Sequence, residues 1–179
     1  MAKPSIAITE SFASEAKIAD DIPGEDVIRV LKFLRGVGIS DPVPDEFDAK
    51  KDTYSDIIRD LLKPLHISPG RVTCLVSVKP AVTNFYSVFH GGAIAAVSEA
   101  VSMACARTLV AKDKELFLGE LSISYLSSAT KNEEVIVDAS VVRSGRNLSV
   151  IALEWKLKKT GRLVYTARAT FYHTPVAKL

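Results

Sequence analysis

From Arg71 onward the chain changes its rhythm. Before that point apolar residues recur at helical spacing. Val27, Val30, Leu31 and Leu34 follow Pro23-Gly24, and Gly36-Val37-Gly38 ends the run. Ile57, Ile58, Leu61 and Leu62 form a second such group. Thr53 with Asp56 three residues later resembles a capping box opening it, and Pro64 stops it. After Arg71 the period falls to two. Val72, Cys74, Val76 and Val78 alternate with Arg71, Thr73, Ser77 and Lys79, predicting a half-buried strand closed by Pro80. Helical rhythm then returns once: His90-Gly91-Gly92 opens an alanine-rich stretch that runs to Arg107. Four more strands are predicted at Leu116–Leu126, Glu134–Arg143, Asn147–Lys158 and Leu163–His173, with Ser144-Gly145 and Thr160-Gly161 as hairpin turns between the last three.

This order of strand, long helix and antiparallel strands predicts an α+β domain with one helix packed on a sheet face. Its core is expected from Val135, Val137, Ala139 and Val141 on one strand face and from Ile151, Leu153, Trp155 and Leu157 on the next. The division expected is an N-terminal extension over residues 1–66, a main domain over 67–175 and a tail over 176–179. Residues 1 to about 22 are polar and weakly patterned, which predicts a disordered or loosely attached start. The two N-terminal helices read as a cover on the core, the alternative being a lid over a substrate.

Charge sharpens one place in this pattern. Glu99 is the only charged residue between His90 and Arg107. A carboxylate in so apolar a helix is expected to be buried, and a buried carboxylate needs a partner or a function. Elsewhere composition mainly excludes. The chain has 179 residues, a formal net charge of +2 and 47% hydrophobic residues, so it can bury a core and lacks the basic stripe of a nucleic-acid binder. Its two cysteines, Cys74 and Cys105, have no metal-ligand spacing and read as small buried hydrophobes without a disulfide. No metal or cofactor is expected. No apolar run is long enough to span a membrane and no signal-peptide pattern opens the chain, so a soluble intracellular protein is expected.

Asn84 stands six residues before His90, the His90-Gly91-Gly92 triplet follows, and Glu99 comes nine residues after the histidine. Further on stands Glu120-Leu121-Ser122-Ile123-Ser124-Tyr125-Leu126, followed by Ser128-Ala129. Together these resemble the hotdog-fold acyl-coenzyme A thioesterases, of the phenylacetate-degradation and human thioesterase superfamily member type. The resemblance covers roughly Pro69 to His173. It implies a hotdog fold, an antiparallel sheet wrapped around one long central helix, here with an N-terminal helical extension. It also implies a homodimer or homotetramer whose sites lie between subunits, and an acyl-coenzyme A substrate.

The residues fit that chemistry. Glycines at a helix start leave backbone N–H groups open, and the helix dipole adds positive charge there, so a thioester carbonyl placed against it is polarised. The resemblance gives that part to the Gly91 N–H. It makes Glu99 the general base for water or the nucleophile, and it makes Asn84 the group that orients carbonyl or water. Gly92 is counted with the substrate contacts. His90 reads first as the residue that holds the turn through a backbone hydrogen bond, and second as a catalytic acid. For Glu99 the bland alternative is a structural acid paired with an arginine. Two positions depart from the pattern: Leu118 where the human-type enzymes carry a serine, and Met103 where the aryl branch carries a threonine. They leave a non-catalytic acyl-coenzyme A binding or sensing module as the alternative function. A hotdog dehydratase is disfavoured because no His-Phe-Pro element is present.

Arg143-Ser144-Gly145-Arg146 resembles the family's turn near the nucleotide, offering two guanidiniums and backbone N–H groups to phosphate; an ordinary solvated hairpin turn is the alternative. His66 and His173 carry no motif and read as surface or loop residues. Ala177-Lys178-Leu179 resembles a peroxisomal address, with the cytoplasm the alternative.

Overall fold

A computed structural model describes residues 19, 21–36 and 52–175, so residues 176–179, most of the polar start and residues 37–51 lie outside the described residues. The chain divides into two compact units, residues 1–51 and 52–179. In the first, helix α1 spans Gly24–Gly36, with Glu25 and Asp26 in its first turn and Arg35 in its last, as the helix dipole favours.

The second unit opens with helix α2, Thr53–Arg59. The capping box expected at Thr53 is not what starts it. Asp52 is the N-cap, held in the left-handed region at φ 63° without a side-chain cap, so Thr53 already lies within the helix. Nor does α2 run on to Pro64. It ends at Arg59, and strand β1 follows at Leu62–Ser68. The sequence gives no sign of that strand, because it lies at the sheet edge with five of its seven residues exposed and no alternation to read. Pro64 is tolerated there beside a register shift, since an edge strand needs no outward N–H.

The predicted elements then follow in order: β2 Arg71–Ser77, helix α3 Gly91–Arg107, β3 Lys114–Tyr125, β4 Glu134–Ser144, β5 Leu148–Leu157 and β6 Leu163–Pro175. They form one six-stranded antiparallel sheet in the order β1-β2-β4-β5-β6-β3. The sheet wraps α3, which packs on one of its faces. Trp155 lies fully buried in the middle of this layer, edge-on to Phe89 at 6.2 Å and to Tyr165 at 5.9 Å between ring centroids. Val135, Val137, Ala139, Ile151 and Leu153 close around it as the alternation predicts, each contributing about 1.5–3 kcal/mol when a side chain of Val or Leu size is fully buried. Cys74 and Cys105 are free and buried. Burial pushes the Cys105 thiol up to about 11, so it stays a protonated hydrophobe at neutral pH.

β3 reaches the far edge through a bulge between Leu118 and Glu120. Gly119 sits in that bulge with the Tyr172 ring over it, where a Cβ would come within 2.2 Å of the ring. No described residue pairs with the outer edge of this strand of 12 residues. No described helix is long and apolar enough to cross a membrane, and no cluster of metal-ligating side chains occurs among the described residues.

Candidate active site

The loop from Asn84 to His90 positions the start of α3. Asn84 accepts the Tyr86 N–H at 2.9 Å and the Val88 N–H at 3.4 Å on its side-chain oxygen, and its own N–H donates to the Val88 carbonyl. That oxygen is thus committed to the loop, and the amide N–H2 is what remains to meet a ligand. His90 is the N-cap of α3, with extended backbone at φ −67°, ψ 130°. Its Nδ1 accepts the Gly92 N–H at 3.0 Å, which fixes the neutral ring's proton on Nε2. The His90 carbonyl accepts the Ile94 N–H at 3.0 Å and its N–H donates to Val82.

Two tyrosines complete the frame. Tyr125, from the end of β3, donates its hydroxyl to the Gly91 carbonyl at 3.3 Å; Tyr54, from α2, donates to the Gly92 carbonyl at 3.1 Å. Around the glycine pair, therefore, the Gly92 N–H and three successive carbonyls are engaged. The Gly91 N–H is the donor left over. It stands at the first helical position, where no carbonyl of the helix can reach it.

Glu99 lies on the opposite side of α3 from the sheet. The expectation that it is buried needs correction. The helix buries one face only, with Ala93, Ile94, Val97, Ser98, Val101, Ser102, Cys105 and Ala106 against the sheet, while Glu99 is half-buried and opens into a cavity of about 430 Å³. Its carboxylate makes no hydrogen bond or ion pair with a described residue, so the arginine partner of a structural acid is not among them. The helix carries two buried hydroxyls instead. Ser102 donates to the Glu99 carbonyl at 3.0 Å, and Ser98 Oγ has no hydrogen-bond partner among the described residues. Leu118 and Met103 are half-buried and pack against the core.

Arg143, Ser144, Gly145 and Arg146 are exposed at the β4–β5 turn, as a hairpin connection is. Neither arginine is ion-paired with a described residue, and no hydrogen bond joins this turn to the start of α3 among them. His173, which the sequence leaves without a role, lies half-buried near the end of β6, within the strand predicted there, and braces the turn. Its Nε2 is 3.0 Å from the fully buried Ser149 hydroxyl, which is 3.0 Å from the Ser144 hydroxyl; its Nδ1 is 3.4 Å from the Arg146 carbonyl. His66 is exposed on β1.

The thioesterase superfamily profile matches residues 86–164, from the loop before α3 to the start of β6. The human protein named acyl-coenzyme A thioesterase 13 is 27% identical over 103 residues, covering 58% of this chain and 73% of that one. The crystal structure of zebrafish thioesterase superfamily member 2 superposes with a TM-score of 0.63 at 23% identity, over 69% of this chain and 88% of that one. The chain has the hotdog fold of the thioesterases. The resemblance to acyl-coenzyme A thioesterases read from Asn84, the glycine pair and Glu99 holds in sequence and in fold. A hypothetical thioesterase from Streptococcus pneumoniae, solved with coenzyme A, shares the fold with a TM-score of 0.60 at 21% identity, over 65% of this chain and 88% of that one.

Proposed function

We propose that this hotdog chain hydrolyses acyl-coenzyme A thioesters to the free acid and coenzyme A. The observation that carries the reading is the Gly91 N–H, engaged by no described residue at a helix start whose neighbouring groups are tied by His90, Tyr54 and Tyr125. A thioester carbonyl accepting from it gains a donor aimed where negative charge develops, on the positive end of the helix dipole. Glu99 takes a proton from water, the water oxygen adds to the carbonyl carbon, and the tetrahedral oxyanion forms against Gly91. As that oxyanion collapses the carbon–sulfur bond breaks, and the thiolate takes up the proton held by Glu99. Direct attack by the Glu99 carboxylate, giving an anhydride that water then opens, is the other route. The free amide of Asn84 orients the carbonyl or the water. The named relatives and the coenzyme A-bound neighbour support the substrate class.

One protomer does not bring these groups together. Gly91 and Glu99 are eight residues apart, about 12 Å along a helix at 1.5 Å per residue. The Gly91 N–H also points out beyond the helix start, away from Glu99. The reading therefore needs Gly91 of one copy and Glu99 of another, in a homodimer or a dimer of dimers. The open edge of β3 is suited to pair with a second copy, and Tyr125 places the end of that edge beside Gly91. The arginines of the 143–146 turn, exposed and without an ion-pair partner among the described residues, are assigned to the nucleotide phosphates.

Gly91→Pro is a pointed test. It deletes the one N–H at issue, proline is at home at the first helical position, and His90 already has the extended backbone that a following proline demands. Free-thiol release from a panel of acyl-coenzyme A esters is expected to fall about 10²–10³-fold in kcat for Gly91→Pro, and at least about 10²-fold for Glu99→Gln. Co-expressing the two variants should restore turnover that neither has alone, because a mixed dimer holds one intact Gly91–Glu99 pair. Equal turnover by wild type and Glu99→Ala would defeat the assignment. The apolar Leu118 and Met103, where the resemblance implies hydroxyls, favour the second reading of a non-catalytic acyl-coenzyme A binding module. Tight binding without thiol release would establish it.

A further inference from the structure

The cavity beside Glu99 is walled on one side by α2 and on the other by α3. From α2 and the first residue of β1 come Ile58 and Leu62; from α3 come Ala96, Ala100 and Met103. These make an apolar interior. Tyr54, Ser55, Arg59 and Glu99 supply its polar groups. The α2 wall is fixed to the catalytic helix, because the Tyr54 hydroxyl donates to the Gly92 carbonyl at 3.1 Å. Arg59 is ion-paired with Asp56, so its charge is spent within α2. Glu99 is thus the one lining charge without an opposite partner among the described residues, and it is negative. At about 430 Å³ the cavity stands near the small end of the ~300–1,000 Å³ usual for ligand sites.

The geometry points to this cavity as the acyl-chain pocket, taking a neutral hydrocarbon acyl group of medium length, with α2 and Met103 as the elements that set chain length. The inference rests on the thioesterase reading for the placement of the reacting carbon beside Glu99. An acyl chain leaving a carbonyl next to that carboxylate meets Ala96 and Ala100 first, whose small side chains leave it room, and then Met103 and Ile58. An acyl group ending in a carboxylate would meet Glu99, and the one lining cation, Arg59, is already paired with Asp56, so charge disfavours it. Met103 acquires a part that the missing hydroxyl does not give it: an unbranched, adaptable side chain forming the wall of an apolar site. α2 is then neither a passive cover nor a moving lid but a fixed wall of the pocket.

The test compares acetyl-, octanoyl-, palmitoyl- and a dicarboxylic acyl-coenzyme A of octanoyl length, by kcat/KM on the full-length protein. Wild type should prefer octanoyl over acetyl, palmitoyl and the dicarboxylic ester. Ala100→Phe, which fills the cavity from an exposed helical position, should lower the octanoyl-to-acetyl ratio by about tenfold or more, as steric exclusion from an apolar pocket does. Met103→Ala, which enlarges it, should move the preference toward palmitoyl. Ratios that stay within about twofold of wild type in both variants, or a preference for the dicarboxylic ester, would overturn the inference. Should wild type release no thiol from any ester, the hydrolase reading fails and the pocket is judged alone, by calorimetric Kd for the same esters. A Kd that improves from acetyl to octanoyl, and loses that dependence in Ala100→Phe, upholds it; a Kd independent of chain length overturns it.

Discussion

Helix α3 has two sides that do opposite things. Toward the sheet it presents Ile94, Val97, Val101 and Cys105, all nearly or fully buried, in a sealed layer around Trp155. Away from the sheet it presents Ala96, Glu99, Ala100 and Met103, half-buried or exposed, along a cavity. The inner side exchanges apolar surface for stability and has no titratable group that is charged at neutral pH. The outer side keeps small residues and one carboxylate with no described partner. On the proposed reading, a helix so divided separates folding from chemistry within 17 residues, so substitutions on the two sides should be distinguishable by which measurement they move.

The largest stability effect is expected from Trp155→Ala. Removing a fully buried tryptophan from the centre of the layer should cost about 3–5 kcal/mol, visible as a midpoint shift in urea and a Tm lower by roughly 10 °C. Glu99→Gln should do the reverse. Turnover is lost, while stability changes by no more than about 0.5 kcal/mol, the usual range for a partly exposed side chain without a bonded partner. A Glu99→Gln protein that is as unstable as Trp155→Ala would erase the distinction and return Glu99 to a structural role.

Much of this division was legible in the sequence because it is written in periodicity. The period-two runs around Val135–Val141 and Ile151–Leu157 and the apolar run after Gly92 reappear as β4, β5 and α3. The candidate site was legible for a different reason: a lone carboxylate in an apolar helix, at fixed distance from a glycine pair, is visible without coordinates. What it signified was misjudged in one respect. An alanine-rich helix has no strong polar stripe, so its open face looked as buried as its inner one. β1 stayed hidden because an exposed edge strand has no alternation. Tyr54, Tyr125 and the Ser149–His173 contact stayed hidden because each joins residues far apart in sequence whose closeness only the folded chain creates. Tyr54 lies 38 residues from Gly92, and Ser149 lies 24 from His173.

The far face of the sheet, which belongs to neither side of α3, supplies the smallest expected effect and a control for both. There Asp138 on β4 stands beside Thr73 on β2 and Glu154 on β5. Arg71 donates to it through Nε at 2.9 Å and through Nη2, and Thr73 donates its hydroxyl at 2.9 Å. The bonded guanidinium, helped by Thr73, holds the Asp138 carboxyl below the usual carboxylate range against the opposing effect of burial. A carboxyl whose value is depressed in the folded state stabilises the fold above its unfolded value, about pH 4, and loses that contribution as pH falls through the folded value. Asp138→Asn should therefore cost about 0.5–1 kcal/mol at neutral pH, since Arg71 is largely exposed and screened. The gap to wild type should narrow with added salt and close in acid, while thiol release at neutral pH stays unchanged because Asp138 touches no part of the site. Urea midpoints for both proteins across the acid range decide it. A gap that persists in acid would mean that Asp138 stabilises the sheet through its shape and hydrogen bonds, with the ion pair contributing nothing measurable.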